Sequence, residues 1–256
     1  MHGQVVSLQQ QQSLNPHPDS YCIKIMQISI IIPVYNEAEN IEKLISYLIQ
    51  HNNGLVAEVI VVDAGSNDDT SIIAKKNGAK TVLSPQKGRA AQMNYGASLA
   101  KGDILYFIHA DTLPPVSFTN DITTAIQKGF AIGRYRTKFN SRKWYLKINA
   151  WITRFDWFVC MGGDNTLFVT RQVFKKNNGF TNEMQIMEEY EFCERVRKEG
   201  ALYKILPGVA LISARKYDIN SWWRVQMANK KIISMYRNNA SQQVMVDTYK
   251  KMLNTR

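Results

Sequence analysis

The stretch Gly102-Asp103-Ile104-Leu105-Tyr106-Phe107-Ile108-His109-Ala110-Asp111-Thr112 decides the fold, because an apolar run of strand length passes straight into His-Ala-Asp. Short apolar runs bounded by polar residues read as buried strands. In an α/β sheet, the carboxyl ends of such strands are where ligands bind. A carboxylate there is well suited to hold Mg²⁺ or Mn²⁺ against a phosphorylated ligand, since these hard cations favour oxygen and share their shell with phosphates. Asp111 is therefore the first functional candidate. The plainer alternative is an acid that caps the next turn, with Pro114-Pro115 fixing the loop beyond it.

Working outward, the first half alternates strand with helix. Ile28 to Val34 is a continuous apolar run, and Glu37 to Gln50 repeats Ile41, Leu44, Ile45 and Leu48 at helical spacing. Glu58 to Val62 is a second strand, followed by a helix from about Asp68 to Asn77, a strand near Lys80 to Leu83, a helix from about Arg89 to Lys101, and the strand that ends at His109. This alternation predicts a mainly parallel, Rossmann-like sheet with helices on both faces. Glu37, Asp63 and Asp111 then fall at the ends of the first, second and fourth strands, along one edge, so a shared site is favoured over three separate caps. Past residue 112 the pattern changes. A strand is expected within Phe130 to Phe139, an aromatic-rich helix from Arg142 to Phe158, a strand from Asn165 to Thr170, an amphipathic helix from Met187 to Lys198, and one or two strands from Ala201 to Ala214. A long basic helix from about Ser221 to Leu253 closes the chain.

The bulk properties bound these readings. A chain of 256 residues with 45% apolar content buries one sizeable core, and no uninterrupted apolar run is long enough to span a bilayer as a helix. Residues 1–24 are polar, lack the pattern of a secretory signal, and read as a tail. Cys22, Cys160 and Cys193 have no CxxC spacing, which favours a reduced, cytoplasmic setting. A net charge of +11 implies attraction to phosphates, anionic lipid or nucleic acid, but no nucleic-acid motif accompanies it.

The segments IIPVYNEAENI, VIVVDAGSNDDT and KGRAAQMNYGASLAKGDILYFIHADT, in this order, resemble the family 2 glycosyltransferases, and the resemblance runs from about Gln27 to Arg215. The GRA-QMN, HADT, GGDN and IME-E segments are similar to a subgroup associated with radical SAM and selenoprotein-linked domains. The resemblance implies the GT-A fold, with residues 25–112 as a nucleotide-binding half, 113–215 as an acceptor half and 216–256 as a C-terminal extension carrying an amphipathic helix. It also implies inverting transfer of a sugar from a nucleoside diphosphate donor to an acceptor hydroxyl. A module of the same fold that binds without turnover is the alternative, and it would be expected to lack the metal acid or the base.

By resemblance, Asp63 meets the nucleobase, in a pocket lined by Pro33, Tyr35 and Glu37; an Asx turn is the local alternative for Asp63. Arg89 follows Gly88, whose small size lets the backbone approach a diphosphate that the guanidinium can hold. Asp111 would bind a divalent cation, Mg²⁺ or Mn²⁺. His109 stands where the family more often has an acid, and is either a second metal or nucleotide contact or a half-buried strand-end histidine. Gly163 and Asp164, in Gly162-Gly163-Asp164-Asn165, offer close backbone approach and a polar pair for donor sugar or acceptor, or simply a tight turn. Arg215 is a candidate contact for the departing diphosphate.

Inverting transfer needs a base for the acceptor proton. Among Glu188, Glu189 and Glu191, only Glu189 shares a helical face with Phe192, Cys193 and Val196, whereas Glu191 pairs with Arg195 and Glu194 with Lys198 at i+4. The family's motif carries its base at the same position as Glu189, usually as Asp. The QxxRW signature of processive synthases is absent. Two basic, aromatic segments, Trp144 to Phe158 and the C-terminal helix with Trp222, Val225, Ile232 and Met235, leave three readings open. These are peripheral attachment at a membrane, which suits a lipid-linked acceptor; packing of the apolar stripe on the domain; and homodimerisation through that stripe.

Overall fold

The computed structural model describes residues 25–158 and 166–254. Strands β1 (Ile28–Val34), β2 (Val56–Asp63), β3 (Lys80–Leu83) and β4 (Ile104–Phe107) are joined by helices α1 (Ala38–Gln50), α2 (Thr70–Lys76) and α3 (Arg89–Leu99). They pair in parallel in the order β3-β2-β1-β4. β1 is buried along its whole length. Ile28, Ile30, Ile32 and Val34 face one core while Ile31 faces the other, as expected for a strand covered on both sides.

The first core packs α1 and α4 (Phe118–Gln127) on one face of the sheet, and the second packs α3, α6 (Arg171–Lys176) and α7 (Glu188–Lys198) on the other. Burying Ile41, Leu44, Ile45 and Leu48 of α1 contributes on the order of 10 kcal/mol in gross apolar transfer, an upper bound for an extended-chain reference. Pro33 is tolerated in this central strand because β4 pairs with β1 only as far as Ile31. After Ile108 donates to the Ile31 carbonyl the neighbouring chain leaves, so no partner awaits the missing N–H.

Beyond β4 the sheet becomes mixed. β7 (Leu167–Thr170) lies antiparallel between β4 and β6 (Ile132–Phe139), β6 runs parallel to β8 (Tyr203–Ile212), and the two-residue β5 (Thr112–Leu113) closes the edge antiparallel to β8. Of the seven strand pairings among the described residues, four are parallel, in keeping with a mainly parallel sheet. Pairing of Thr112 with Ile212 brings the residues after β8 beside Asp111.

Three expected elements differ in extent. The strand before His109 leaves the sheet ladder at Phe107. The aromatic helix is α5 (Trp144–Ile152), ending where the Thr153 hydroxyl donates to the Ala150 carbonyl and accepts from the Thr137 N–H. The single long C-terminal helix is a hairpin of α9 (Trp222–Arg237) and α10 (Gln242–Met252), preceded by the short α8 (Arg215–Ile219). Asn239 takes a left-handed conformation after α9, and the Ser241 hydroxyl caps α10 by accepting from the Val244 N–H. Val225, Ala228 and Ile232 of α9 are buried within the chain itself, so this stripe packs on the domain and on α10. No helix among the described residues is long and apolar enough to cross a membrane.

Gly133 marks the tightest point of the mixed half. A Cβ there would lie 2.1 Å from the Lys204 carbonyl oxygen and 2.6 Å from the Phe168 ring. Since the backbone oxygen cannot swing away, Gly133→Ala should lower unfolding free energy by about 3 kcal/mol, read from urea denaturation. Wild-type stability in that variant would show that β6 and β8 separate more freely than their pairing indicates.

Candidate active site

Two loops after β1 and β2 clasp each other. The Asn36 N–H donates to Ser66 Oγ (2.9 Å), the Glu37 N–H to Thr70 Oγ1 (2.8 Å), and the Asn67 N–H to Asn36 Oδ1 (2.9 Å). Asp63 organises this clasp: its Oδ1 accepts from the Gly65 and Ser66 N–H groups and the Ser66 hydroxyl, and its Oδ2 from the Ser71 hydroxyl. Its bonds from the Gly65 and Ser66 N–H groups are the Asx-type turn weighed for Asp63, and the residue is buried. Pro33 is buried in β1, whereas the Tyr35 ring at the rim is exposed.

The acids of the first and fourth strand ends do meet, through a cation from the far half of the chain. Arg215, the first residue of α8, donates to Glu37 Oε1 at 3.0 Å and to Asp111 Oδ2 at 3.1 Å. A cleft of about 120 Å³ opens beside this group, lined among others by Asn40, Lys43, Asp111, Asn140 and Ser213. Asp63 lies at the same edge but its side-chain hydrogen bonds stay within its own loop and α2.

The third component arrives on α7. Glu188 and Glu189 are 1% and 3% exposed, so the first two residues of α7 point inward. Glu188 forms an ion pair with Arg89 at the start of α3. Glu189 Oε1 lies 3.7 Å from His109 Nε2, an ion-pair distance too long for a hydrogen bond. The buried Nε2 has no hydrogen-bond partner. Burial opposes protonation of His109, but Glu189 and Asp111 outweigh it and raise the imidazole above its usual value. Glu191 pairs with Arg195 at 2.6 Å and Glu194 with Lys198 at 3.7 Å, as the helical spacing predicts. Met187, the residue before α7, is held at φ 69°, a conformation uncommon for a non-glycine residue, and no sequence signal announces it.

His109 and Asp111 present one imidazole and one carboxylate, and among the described residues no group of three His, Cys, Asp or Glu side chains is arranged around a metal. This donor set fits a divalent cation that takes its remaining ligands from phosphates and water, and does not fit a closed protein cage. Gly163 and Asp164 lie outside the described residues.

Two further residues of α3, inside the quoted GRA-QMN segment but not singled out by the sequence, build the site's frame. Gln92 is buried and its Nε2 donates to the carbonyls of Val34 (2.9 Å) and Val62 (2.8 Å), holding together the ends of β1 and β2. Asn94 donates to the Phe180 carbonyl at 2.7 Å and accepts from its N–H at 2.9 Å, tying α3 to the loop before α7. The only available signal was amides on an otherwise small, apolar helix face.

Two outcomes test this geometry. Arg89→Met should cost about 2 kcal/mol of stability by stranding the buried Glu188 carboxylate, less than the roughly 3–5 of a fully buried pair because Arg89 is partly exposed; a neutral change in a denaturation curve would show that Glu188 does not need its partner. Burial, reinforced by the Glu189 charge, pushes the Cys193 thiol far above its usual value. Iodoacetamide at pH 8 should therefore leave Cys193 unmodified in the folded protein and label it in urea, as read by peptide mass spectrometry.

Known proteins share this architecture. Glucosyl-3-phosphoglycerate synthase of Mycobacterium tuberculosis is 38% identical over 98 residues, covering 34% of this chain and 30% of that protein, so the matched segment spans under a third of the relative's length. The crystal structure of that synthase with Mg²⁺ and uridine diphosphate superposes with a TM-score of 0.54 at 20% identity, covering 73% of this chain and 70% of the other. A mannosyltransferase of Pyrobaculum calidifontis in complex with GDP-Man and Mn²⁺ gives a TM-score of 0.60 at 17% identity, covering 81% and 62%. At these identities the two structures establish the GT-A fold. The family model described as glycosyl transferase family 2 matches residues 29–187, most of the chain, and with the architecture above it shows that the protein belongs to glycosyltransferase family 2.

Proposed function

We propose that this chain transfers a sugar from a nucleoside diphosphate sugar to an acceptor hydroxyl, with inversion and without processive polymerisation. The observation that carries the reading is the convergence of Asp111, His109 and Glu189: a strand-end acid, a histidine, and a buried carboxylate from the other half of the chain at ion-pair distance from that histidine. Similarity to transferases whose structures contain uridine diphosphate with Mg²⁺, or GDP-Man with Mn²⁺, supports it.

In this reading Glu189 takes the acceptor hydroxyl proton as that oxygen forms its bond to the anomeric carbon. The bond from that carbon to the diphosphate breaks, and the nucleoside diphosphate leaves with the electron pair. Arg215 and Arg89, which in this structure are paired with Glu37, Asp111 and Glu188, lie at the edge where negative charge develops and orient the diphosphate. Asp111, with His109, holds Mg²⁺ or Mn²⁺, which when bound neutralises the leaving group. The nucleobase is received at the clasp of Pro33, Tyr35, Glu37 and Asp63, with Asp63 acting through the backbone it orders as well as by its carboxylate edge. Gly163 and Asp164 serve the sugar or acceptor.

The GRA-QMN, HADT, GGDN and IME-E segments support membership of the radical SAM and selenodomain-associated subgroup. Residues 25–215 form the transferase and 216–256 a basic helical extension, and the cysteine pattern supports a cytoplasmic setting. Burial of the α9 stripe inside the chain argues against a homodimer through that stripe.

UDP-, GDP- and dTDP-sugars tested by thermal shift with and without Mn²⁺ should give a metal-dependent rise in melting temperature for one nucleotide. Asp111→Ala should abolish that rise. Glu189→Gln should keep the rise but lower transfer by about 10²-fold or more. Undiminished transfer by Glu189→Gln removes the proposed base, and the absence of any nucleotide-dependent shift sinks the reading.

A further inference from the structure

All five tryptophans of the chain, Trp144, Trp151, Trp157, Trp222 and Trp223, lie on or immediately beside two helices. Four of them face solvent: Trp144 is 70% exposed, Trp151 51%, Trp157 52% and Trp223 73%. On α5, Trp144, Ile148 and Trp151 recur at i, i+4 and i+7 and are all exposed, so this helix turns an apolar stripe outward. Trp151 continues through Phe155 to Trp157, with ring centroids 4.7 and 4.9 Å apart. Trp144, Tyr145, Trp222 and Trp223 touch in sequence at 5.9, 6.2 and 4.7 Å, which joins α5 to α9, where Met227 is also exposed one turn beyond Trp223. The result is one apolar surface built from two helices, and it does not use the buried stripe of α9.

Its surroundings are basic. Lys147 and Arg154 flank the α5 stripe, and Arg224, Lys230 and Lys231 share the exposed side of α9 with Trp223 and Met227. Neither helix contains an acidic residue. Exposed tryptophans set among lysines and arginines match the depth profile of a bilayer interface, where indoles sit at headgroup level and cations meet lipid phosphates. A second copy of the chain fits poorly, since an isologous contact would bring these like charges together.

We propose that the α5–α9 face docks on the surface of a bilayer that contains anionic lipid. Arg215 opens α8, and α8 leads directly into α9, so the residue that bridges Glu37 and Asp111 and the docking face lie on consecutive elements. Such a site suits an acceptor carried on a lipid phosphate, a consequence that rests on the transferase reading, whereas docking itself does not.

The test uses the full chain with phosphatidylcholine vesicles, with and without phosphatidylglycerol. The tryptophan emission is a direct reporter, because four of the five indoles are exposed here. Anionic vesicles should shift it to the blue and sediment the protein, high salt should weaken the effect, and neutral vesicles should bind at least about tenfold less. Trp144→Ala/Trp223→Ala should reduce partitioning about tenfold or more with an unchanged melting temperature, and Lys230→Gln/Lys231→Gln should remove most of the preference for anionic lipid. No binding to either vesicle, equal binding to both, or wild-type binding by the double tryptophan variant overturns the proposal. So does a dimer in light scattering that the same variant converts to monomer while vesicles bind nothing. Nucleotide-dependent thermal shifts without vesicles test the transferase reading separately, so either can fail alone.

Discussion

The ion pair between Arg89 and Glu188 is the joint on which the site depends. It links the first residue of α3, in the parallel half, to the first residue of α7, in the mixed half. A carboxylate that is 1% exposed is costly without a cation, so the pair fixes how α7 enters the core. Glu189 is the next residue, and its approach to His109 follows from that anchoring. Asn94 and Gln92 act from the same helix, one on the loop before α7 and the other on the ends of β1 and β2. One short helix thus sets the distance between the strand-end acids and the buried glutamate.

A second constraint is electrostatic. Glu37 and Asp111 project from neighbouring strand ends, and two carboxylates at one edge repel unless a cation lies between them. In this structure Arg215 takes that position. Its place in the chain makes it a link between the strand edge and the C-terminal helices, because α8 continues into α9. Charge at the site and the orientation of the aromatic, basic face are therefore set by one connection.

Much of the architecture was legible because local and global preferences agree. The apolar run of β1 and the helical spacing of Ile41, Leu44, Ile45 and Leu48 were readable, since burial demands continuous or periodic hydrophobicity, whereas the strand expected to end at His109 leaves the ladder at Phe107. The inward direction of Glu189 followed from its shared face with Phe192, Cys193 and Val196. The break between α9 and α10 was missed although Asn238-Asn239-Ala240-Ser241 carries a left-handed asparagine and a capping serine, because the apolar spacing continues across the turn. Of the three readings open for the α9 stripe, packing on the domain is the one the structure shows, and the exposed aromatics lie on its flank and on α5.

By itself the sequence determined the alternating first half, the residues available at its strand ends and the identity of the candidate base, since these rest on periodicity and on side-chain chemistry that act over a few residues. Only the tertiary structure decided which charges meet. The pairing of Arg215 with Glu37 and Asp111, and of Arg89 with Glu188, joins residues about a hundred or more positions apart. Such contacts depend on strand order and on the antiparallel insertion of β7, quantities set by packing the whole sheet and carried by no local pattern. The same holds for the tryptophans: their types were visible in the chain, but which of them would remain in solvent followed from how α5 and α9 were used to close the core.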